Sequence, residues 1–561
     1  MGLFSINRNW QHMRRYRQIL GILLKYGFGD VVDVTRKDLI SRFGDKIVPL
    51  FGKHVDSSMS RAKRLRYAAE ELGPTFIKLA QVLSMRPDLV PPDVAAELRK
   101  LQDEVAPISY EEIRNIIKEE LNQEPETAFL RIDGQPLAAA SIAQVHRAVL
   151  PDGKQVVLKV QRPGIQAVID VDLEILSDIA GILTRHSRNS LIYNPEGVIE
   201  EFNRSIHREL DFISEGHNIQ RFGRMFADDP TVFIPTFYST LSTTRLLVMD
   251  YVDGVKVSRL DEIERMGLDR VIIAKRGSLL ILNQVFDHGF FHADPHPGNI
   301  MVLSGNVIAP LDYGMVGNLD ESTIDALGSA LAGMIHKDTH RILRAFKVLG
   351  ITQDVKDKNS LRADLNDFIS RYYEVPLKEL QVSTLLKEIF EIVRKHQMVL
   401  PSNLSLMLKS LVTVEGLGQL LYPEFDMVSE VRPYIRRITL RRYDPRRRFR
   451  NMLSVLDDLS QLAEELPQGI RDTLNKINRG ELRIQFEHRN LENFTKELNQ
   501  SSNRISSAVI IAALIIGSSL VMQVSVGPNF FGFPLLGVLG YIVASMLGLT
   551  LLWNIFRSKR Q

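Results

Sequence analysis

The sequence predicts an α+β fold that ends in two membrane-crossing helices. Three observations predict it. Short β-like stretches cluster near residues 126–161 and 231–252, helical periodicity dominates on either side, and Ile505 to Phe556 contains no Asp, Glu, Lys, Arg or His. At 561 residues the chain is too long for one compact domain, so two or three units are expected. Its 45% hydrophobic and 24% charged content is ordinary for a globular protein, and a formal charge of +3 argues against bulk nucleic-acid binding.

Residues 1–120 read as helical. The stretch PTFIKLAQVLSM puts Phe76, Leu79, Ala80 and Leu83 on one face, and Arg86-Pro87 closes it. Arg14, Arg15 and Arg17 leave only a short apolar run after them, so no signal peptide is expected. Met1-Gly2 begins like a myristoylation site, but Ile6 stands where Ser or Thr is required. From about 126 to 161 the pattern turns to strands: AQVHRAVL and KQVVLKVQ flank Pro151-Asp152-Gly153, which predicts a β-hairpin. A long helix follows near 196–225, and TVFIPTFY and RLLVMDYV read as two more strands. After Gly254 the pattern is mainly helical to about residue 480, interrupted by NIMVL and VIAPLDYG. No internal repeat is present.

A bilayer core takes about 20 apolar residues per helical crossing, so the uncharged segment fits two crossings, near 505–525 and 533–556. Gly527-Pro528-Asn529 supplies the break. Lys496 and Arg504 before the first crossing, and Arg557, Lys559 and Arg560 after the second, place both ends on the cytoplasmic side. Gly540, Ala544 and Gly548 form a stripe that either lets helices approach closely or reflects common membrane composition. Upstream, RPYIRRITLRRYDPRRRFR (432–450) carries nine arginines and one acid; it reads either as a solvated helix face or as a contact for anionic headgroups. The absence of cysteine excludes disulfides, thiolate chemistry and Cys-ligated iron–sulfur or zinc sites.

HADPHPGN (292–299) is the densest chemical motif. His292, Asp294 and His296 alternate and would share a face on a strand, as zinc ligands could. Pro295 and Pro297 argue against an extended strand, and no second His/Asp cluster lies nearby in the sequence. A magnesium–phosphate reading predicts further parts. In protein kinases a catalytic Asp is followed five residues on by a metal-binding Asn, and a second Asp comes from an Asp-Phe-Gly element. Asp294 and Asn299 have that spacing, and Asp312-Tyr313-Gly314 follows. Upstream, Lys159 sits mid-strand like the kinase lysine that grips phosphates, and Glu209, Asp211 or Glu215 could pair with it. Two departures stand out. PLAAASIAQVH replaces a glycine-rich loop, and alanine resists the positive φ angles glycine allows. Helix-like sequence follows Gly314 directly, with no long activation segment.

With GPTFIKLAQVLSMRPDLVP, AAASIAQVHRA, Glu209-Leu210-Asp211, HADPHPGN and LDYG in place, the chain resembles the UbiB/AarF/ADCK group of atypical kinase-like (ABC1-type) proteins, over roughly residues 60–320 and on to the hairpin. The resemblance implies an atypical protein-kinase-like two-lobed fold. Its parts would be an N-terminal helical extension (1–120), an N-lobe (121–255), a helical C-lobe (256–480), a linker (481–504) and a transmembrane hairpin (505–556). The family's Lys-x-Gly-Gln lid reads Lys78-Leu79-Ala80-Gln81 here, so Ala80 replaces its glycine.

By the same resemblance Lys159 orients phosphates and Glu215 pairs with it. Asp294 is the catalytic carboxylate, and Asn299 and Asp312 hold the metal. Lys78, Gln81, Glu209 and Asp211 link lid to cleft. Leu137, Ala138, Ala139, Ala140, Ser141, Ile142, Ala143, Gln144 and Val145 line the nucleotide, and Met249 and Asp250 form the hinge. The implied cofactors are ATP and Mg2+. The implied activity is an ATPase or unorthodox kinase supporting isoprenoid-quinone (ubiquinone-type) biosynthesis at the bacterial inner membrane, with its kinase-like domain on the cytoplasmic side. Its expected partners are a membrane lipid or quinone precursor, quinone-biosynthesis proteins and a second copy of the chain, without nucleic acid. A nucleotide-gated scaffold or lipid-binding protein, and a kinase of a small molecule or protein, are the competing readings. A quinone hydroxylase finds no flavin fingerprint and no iron-ligand cluster.

Overall fold

The computed structural model describes residues 3–29, 59–84, 86, 89–101, 105–186, 194–351, 355, 357–373, 381–441, 491–523, 528–530 and 533–558. They fall into two compact units, residues 1–451 and 452–561.

In the first unit the expected hairpin is formed by β3 (Ala143–Val149) and β4 (Gln155–Gln161), antiparallel from Ala143↔Gln161 to Val149↔Gln155. The turn needs Gly153, whose φ is +86°. Asp152 accepts from the Lys154 N–H at 3.0 Å and fixes its geometry. β1 (Arg131–Ile132) and β2 (Ala138–Ala139) lie against β3, and β5 (Leu246–Asp250) against β4.

Strand alternation divides this sheet into two faces. Val156, Leu158 and Val160 join Leu246 and Val248 in a core closed by Ile113, Ile116 and Ile117 of the Tyr110–Leu121 helix. A capping box of Ser109 and Glu112 starts that helix. Val157, Lys159 and Gln161 take the other face, where Gln161 reaches the Leu210 carbonyl at 3.0 Å.

The expected long helix near 196–225 is two helices, Pro195–Leu210 and Phe212–Met225. Asp211 breaks it. Its backbone leaves the helical region (φ −95°, ψ 95°), and its carboxylate accepts from the Ile213 N–H at 3.1 Å and the Ser214 hydroxyl at 2.7 Å. The stretch Thr231–Tyr238 is not a strand. It makes only bridges from Val232 to Ile308 and Phe237 to Met249, because Pro235 removes a ladder donor. A further helix, Ile165–His186, has no counterpart among the sequence expectations.

Beyond Gly254, β8 (Ile300–Leu303) and β9 (Val307–Pro310) form the second expected hairpin, with β6 (Val255–Lys256) beside β8. β7 (Phe290–His292) pairs with β10 (Val316–Asn318), and Gly317 is required there because the Phe291 ring occupies the place of its Cβ. Ser402–Leu421 packs on Arg270–Leu282, burying Leu404, Met407, Leu411, Val414 and Leu417. The N-terminal helices gather on Ile165–His186. Arg15 of Leu3–Lys25 donates to both oxygens of the fully buried Asp172, at 2.6 and 2.9 Å, and to the Leu72 carbonyl at 2.7 Å. In Pro74–Ser84, Phe76 and Ala80 are buried as expected, joined by Thr75 and Ile77, while Leu79 and Leu83 are half-buried. Of the arginine run, Arg432 and Arg436 are exposed on Met427–Arg441, and Arg437 pairs with Asp287 at 3.2 Å.

In the second unit Leu491–Met522 and Leu535–Ser558 form an apolar hairpin. The helices touch where Gly540 faces Ser518 and Gly537 faces Met522, and Ala544 is 2% exposed. A Cβ on Gly548 would meet nothing, so the close approach ends before it. Among the described residues three helices are long and apolar enough to cross a membrane by length and composition: Ser402–Leu421, Ser501–Met522 and Leu535–Trp553. Met1, Gly2, Pro87, residues 442–480, Gly527, Lys559 and Arg560, all named above, lie outside the described residues.

Candidate active site

Lys159 stands mid-strand on β4. Glu215 lies in the first turn of Phe212–Met225, where the Asp211 cap sets its phase so that Glu215, Ile219 and Phe222 are all buried. Both Glu215 oxygens accept from Lys159 Nζ, at 2.9 and 2.8 Å, and the residue is 2% exposed. Glu209, the competing partner, pairs instead with Lys78 at 2.6 Å.

Asp312 completes the cluster. Its Oδ1 lies 3.8 Å from Lys159 Nζ and accepts the Gly314 N–H at 2.9 Å. The helix that carries Glu215 also holds this turn. Asn218 donates to the Tyr313 carbonyl at 3.0 Å, while the buried Tyr313 donates its hydroxyl to the Pro310 carbonyl at 2.9 Å.

Burial opposes the charge on Lys159, but the fields of Asp312 and Glu215 outweigh it and hold its pKa above the usual lysine value. Burial likewise opposes the Asp312 carboxylate. Lys159 and the Gly314 N–H overcome that penalty and keep its pKa well below the usual range, an effect moderated by water because 49% of the side chain is exposed. Glu215 balances the other way: burial pushes its carboxyl up, and Lys159 offsets this only in part.

Hairpin geometry delivers the remaining residues. Leu311 N–H donates to the Asn299 carbonyl at 2.9 Å, which sets Asn299 beside the Asp312 segment. Pairing of β7 with β10, continued by Ala293 N–H on the Met315 carbonyl at 3.0 Å, brings the Asp294 loop alongside Asp312–Gly314. Asp294 donates its N–H to His292 Nδ1 at 3.0 Å and accepts from Lys409 at 2.8 Å. His292 is buried, which lowers its pKa and keeps it neutral. His296 accepts the Gly298 N–H on Nδ1 at 3.1 Å. Each imidazole thus has one nitrogen committed to local backbone, and Pro297–Asn299 is a 3-10 turn rather than a strand. Among the described residues no group of three His, Asp or Glu could hold a metal, so the zinc arrangement is not built.

The alanine stretch is a tight turn without positive φ: Ala138 and Ala139 pair with Val145 and Gln144. Val105 N–H and Arg162 Nε hold the Ala139 and Ala140 carbonyls from outside, at 3.2 and 2.8 Å. Leu137 and Ala138 are exposed, Ala139 and Ala140 half-buried, and Ser141, Ile142 and Ala143 buried. Val145 lies across from Lys159 and shares its face. Gln144 lies across from Val160 on the opposite face, where its amide exchanges two hydrogen bonds with the backbone of Ile108. Met249 pairs with Val157 on the Lys159 face, whereas the Asp250 carboxylate is held by Thr236 N–H at 2.8 Å and the Tyr238 hydroxyl at 2.7 Å.

The four residues expected to link lid and cleft divide. Lys78 and Glu209 meet, Gln81 reaches the Leu101 carbonyl at 3.4 Å, and Asp211 caps its helix. Ala80 is 5% exposed, so its methyl is packed.

Two residues absent from the sequence expectations also touch the site. Lys409 holds Asp294, and the neighbouring Ser410 donates to the His292 carbonyl at 2.9 Å. A signal existed. In SNLSLMLKSLVTVEGLGQLL, Lys409 and Glu415 are the only charges, and a charge in an apolar helix needs a partner.

Comparison with known proteins identifies the family. Residues 100–346 match the ABC1 atypical kinase-like domain, 365–426 the UbiB helical domain, and 489–557 the ABC1/UbiB kinase-like C-terminal domain. A probable protein kinase UbiB of Marinobacter nauticus is 33% identical over 467 residues, covering 82% of this chain and 85% of that one. The chain belongs to the UbiB family of ABC1 atypical kinase-like proteins. Its kinase-like fold follows from that membership. Another probable protein kinase UbiB, from Pseudomonas putida strain F1, is 35% identical over 430 residues, 76% of this chain and 79% of its own. An uncharacterized protein from the hydrogenase 1 5′ region of Clostridium pasteurianum is 34% identical over 97% of this chain and 99% of its own, so the likeness extends through the apolar hairpin. The solved erythromycin complex of Rv3197 from Mycobacterium tuberculosis aligns with 72% of this chain and 96% of its own, at TM-score 0.47 and 20% identity; family membership rests on the sequence matches. Lys409 and Ser410 fall within the UbiB helical match.

Proposed function

We propose that this UbiB-family chain is a two-lobed, Mg-ATP-dependent ATPase or atypical kinase, anchored in a bacterial inner membrane by residues 501–558 and supporting isoprenoid-quinone biosynthesis. The observation that carries the reading is the meeting of Lys159, Glu215 and Asp312, drawn from three segments of the chain, around one half-buried ammonium. The donor chemistry fits the implied groups. Asp312 and Asn299 carry hard oxygens and come from backbone segments that lie side by side, which suits magnesium, and Lys159 suits phosphate oxygens. Bound Mg-ATP would supply the phosphoryl group and the charge that balances it. Asp294 orients the attacking water or hydroxyl and receives its proton, and Met249 and the alanine turn border the nucleotide.

The acceptor is proposed to be water, a lipid or a quinone precursor rather than a peptide. The Glu321–Ile335 helix begins seven residues after Gly314, which leaves little chain for a peptide-docking segment. The Lys78–Glu209 pair would hold the Pro74–Ser84 helix as a lid over the cleft. Quinone-biosynthesis proteins and a second copy of the chain are its proposed partners, and nucleic acid is not.

The test is phosphate release by the full chain in lipid vesicles with Mg-ATP. Asp312→Asn is expected to slow it by about 100-fold or more. Unchanged turnover would overturn the metal role. Transfer of γ-labelled phosphate to a lipid separates a kinase from an ATPase, and a nucleotide-induced thermal shift without release would leave the scaffold reading instead.

A further inference from the structure

We infer that Lys409 is a positioning residue of this site, and that the Ser402–Leu421 helix is therefore an active-site element rather than only a support. The inference rests on the reading of Asp294 as the carboxylate that meets the reacting hydroxyl or water. Two consecutive residues of the helix grip the HADPHPGN loop. Ser410, fully buried, donates to the His292 carbonyl at 2.9 Å, and Lys409 holds Asp294 Oδ1 at 2.8 Å. The first contact fixes the backbone just before Asp294, and the second fixes the carboxylate's rotation. With Oδ1 held by the ammonium, Oδ2 is the atom presented to the reacting proton.

A purely structural role accounts poorly for this pair. The two side chains are 22% and 31% exposed, and an ion pair that open to water adds little to stability. The other charge of the helix shows what a structural one looks like. Glu415 is 2% exposed and accepts the Val382 and Ser383 N–H groups at 2.7 Å each, closing the start of the Val382–Lys395 helix. Lys409 instead reaches out of an apolar helix to the one carboxylate of the catalytic-type loop. The site so described is made jointly by the kinase-like stretch and the helical domain that follows it, with more than a hundred residues between the partners.

The experiment measures phosphate release by the full-length protein in lipid vesicles with Mg-ATP, together with its melting temperature. Lys409→Met is expected to lower kcat by about 10- to 100-fold with KM for ATP and the melting temperature nearly unchanged, because a misdirected carboxylate affects the chemical step and not nucleotide capture. Lys409→Arg, which keeps the donor, is expected to recover most of the rate. Glu415→Gln is the structural control: it lowers the melting temperature and leaves kcat at low temperature unchanged. Full activity in Lys409→Met, or an arginine variant no better than methionine, overturns the positioning role while the proposed activity stands. Absence of phosphate release in the unaltered protein overturns both.

Discussion

Ser402–Leu421 and the two helices of the C-terminal hairpin are alike in length and apolar character, yet they differ in what surrounds them. Of the most apolar stretch of the first, 56% is buried in the protein; of Ser501–Met522 and Leu535–Trp553 only 6% and 11% are. The sequence difference behind this is two residues. Lys409 and Glu415 interrupt the first helix, and both find protein partners, whereas the hairpin carries no charge from Ile505 to Phe556. Hydropathy measures how much an element gains by leaving water, not what it enters. A charge that needs a partner points to protein on the other side, and its absence is compatible with lipid.

The contrast can be broken by experiment. Leu417→Ala, at a site 3% exposed, is expected to cost about 2–5 kcal/mol, while Leu549→Ala, at a site 68% exposed, changes stability by less than about 0.5 kcal/mol. Similar losses of melting temperature in detergent would erase the distinction. Next in size, Ala544→Arg in the hairpin is expected to oppose insertion by about 2.5–3.5 kcal/mol. Alkaline extraction of membranes reads this directly, and a variant that resists extraction as well as the unaltered chain would remove the proposed anchor.

Glu415→Ala removes two charge-assisted hydrogen bonds and is expected to cost about 1–3 kcal/mol, seen as a lower denaturation midpoint. The smallest effect is on pH. His146 and His292 are buried, and burial lowers the pKa of both below the ordinary 6.5. The unfolded chain therefore binds more protons than the folded one below pH 6.5. Their contribution is complete above that value and is lost as pH falls towards the lowered pKa values. A melting temperature lower at pH 5.5 than at 7.5 is expected for the first unit. The hairpin stretch from Ile505 to Phe556 holds no histidine and adds nothing to that slope.

Much of the site was legible because its parts obey local rules. Lys159 lies on a strand announced by alternation and by Pro-Asp-Gly, and Asn299 and Asp312 flank a hairpin that two short β runs announce. Glu215 was the right partner for Lys159, though one helix was expected where Asp211 makes two. An aspartate in a helical pattern and an aspartate capping a new helix look the same until its side chain is seen turning back to the Ile213 N–H. Gln144 and Val145 are neighbours in one motif, but register puts them on opposite faces, and only Val145 shares the face of Lys159. Thr231–Tyr238 has strand composition, and Pro235 with the packing of Phe237 over Gly216 leaves it only two bridges.

By itself the sequence determined most of the element types, the order of the charged residues and the uncharged C-terminal segment, since periodicity, turn chemistry and charge exclusion act within a few residues. Only the tertiary structure decided the pairings. Lys159 chose Glu215 and left Glu209 to Lys78, and Lys409 crossed from a distant helix to Asp294. Ion pairs depend on distances of a few ångströms, and sequence separation carries no measure of those until the backbone has folded.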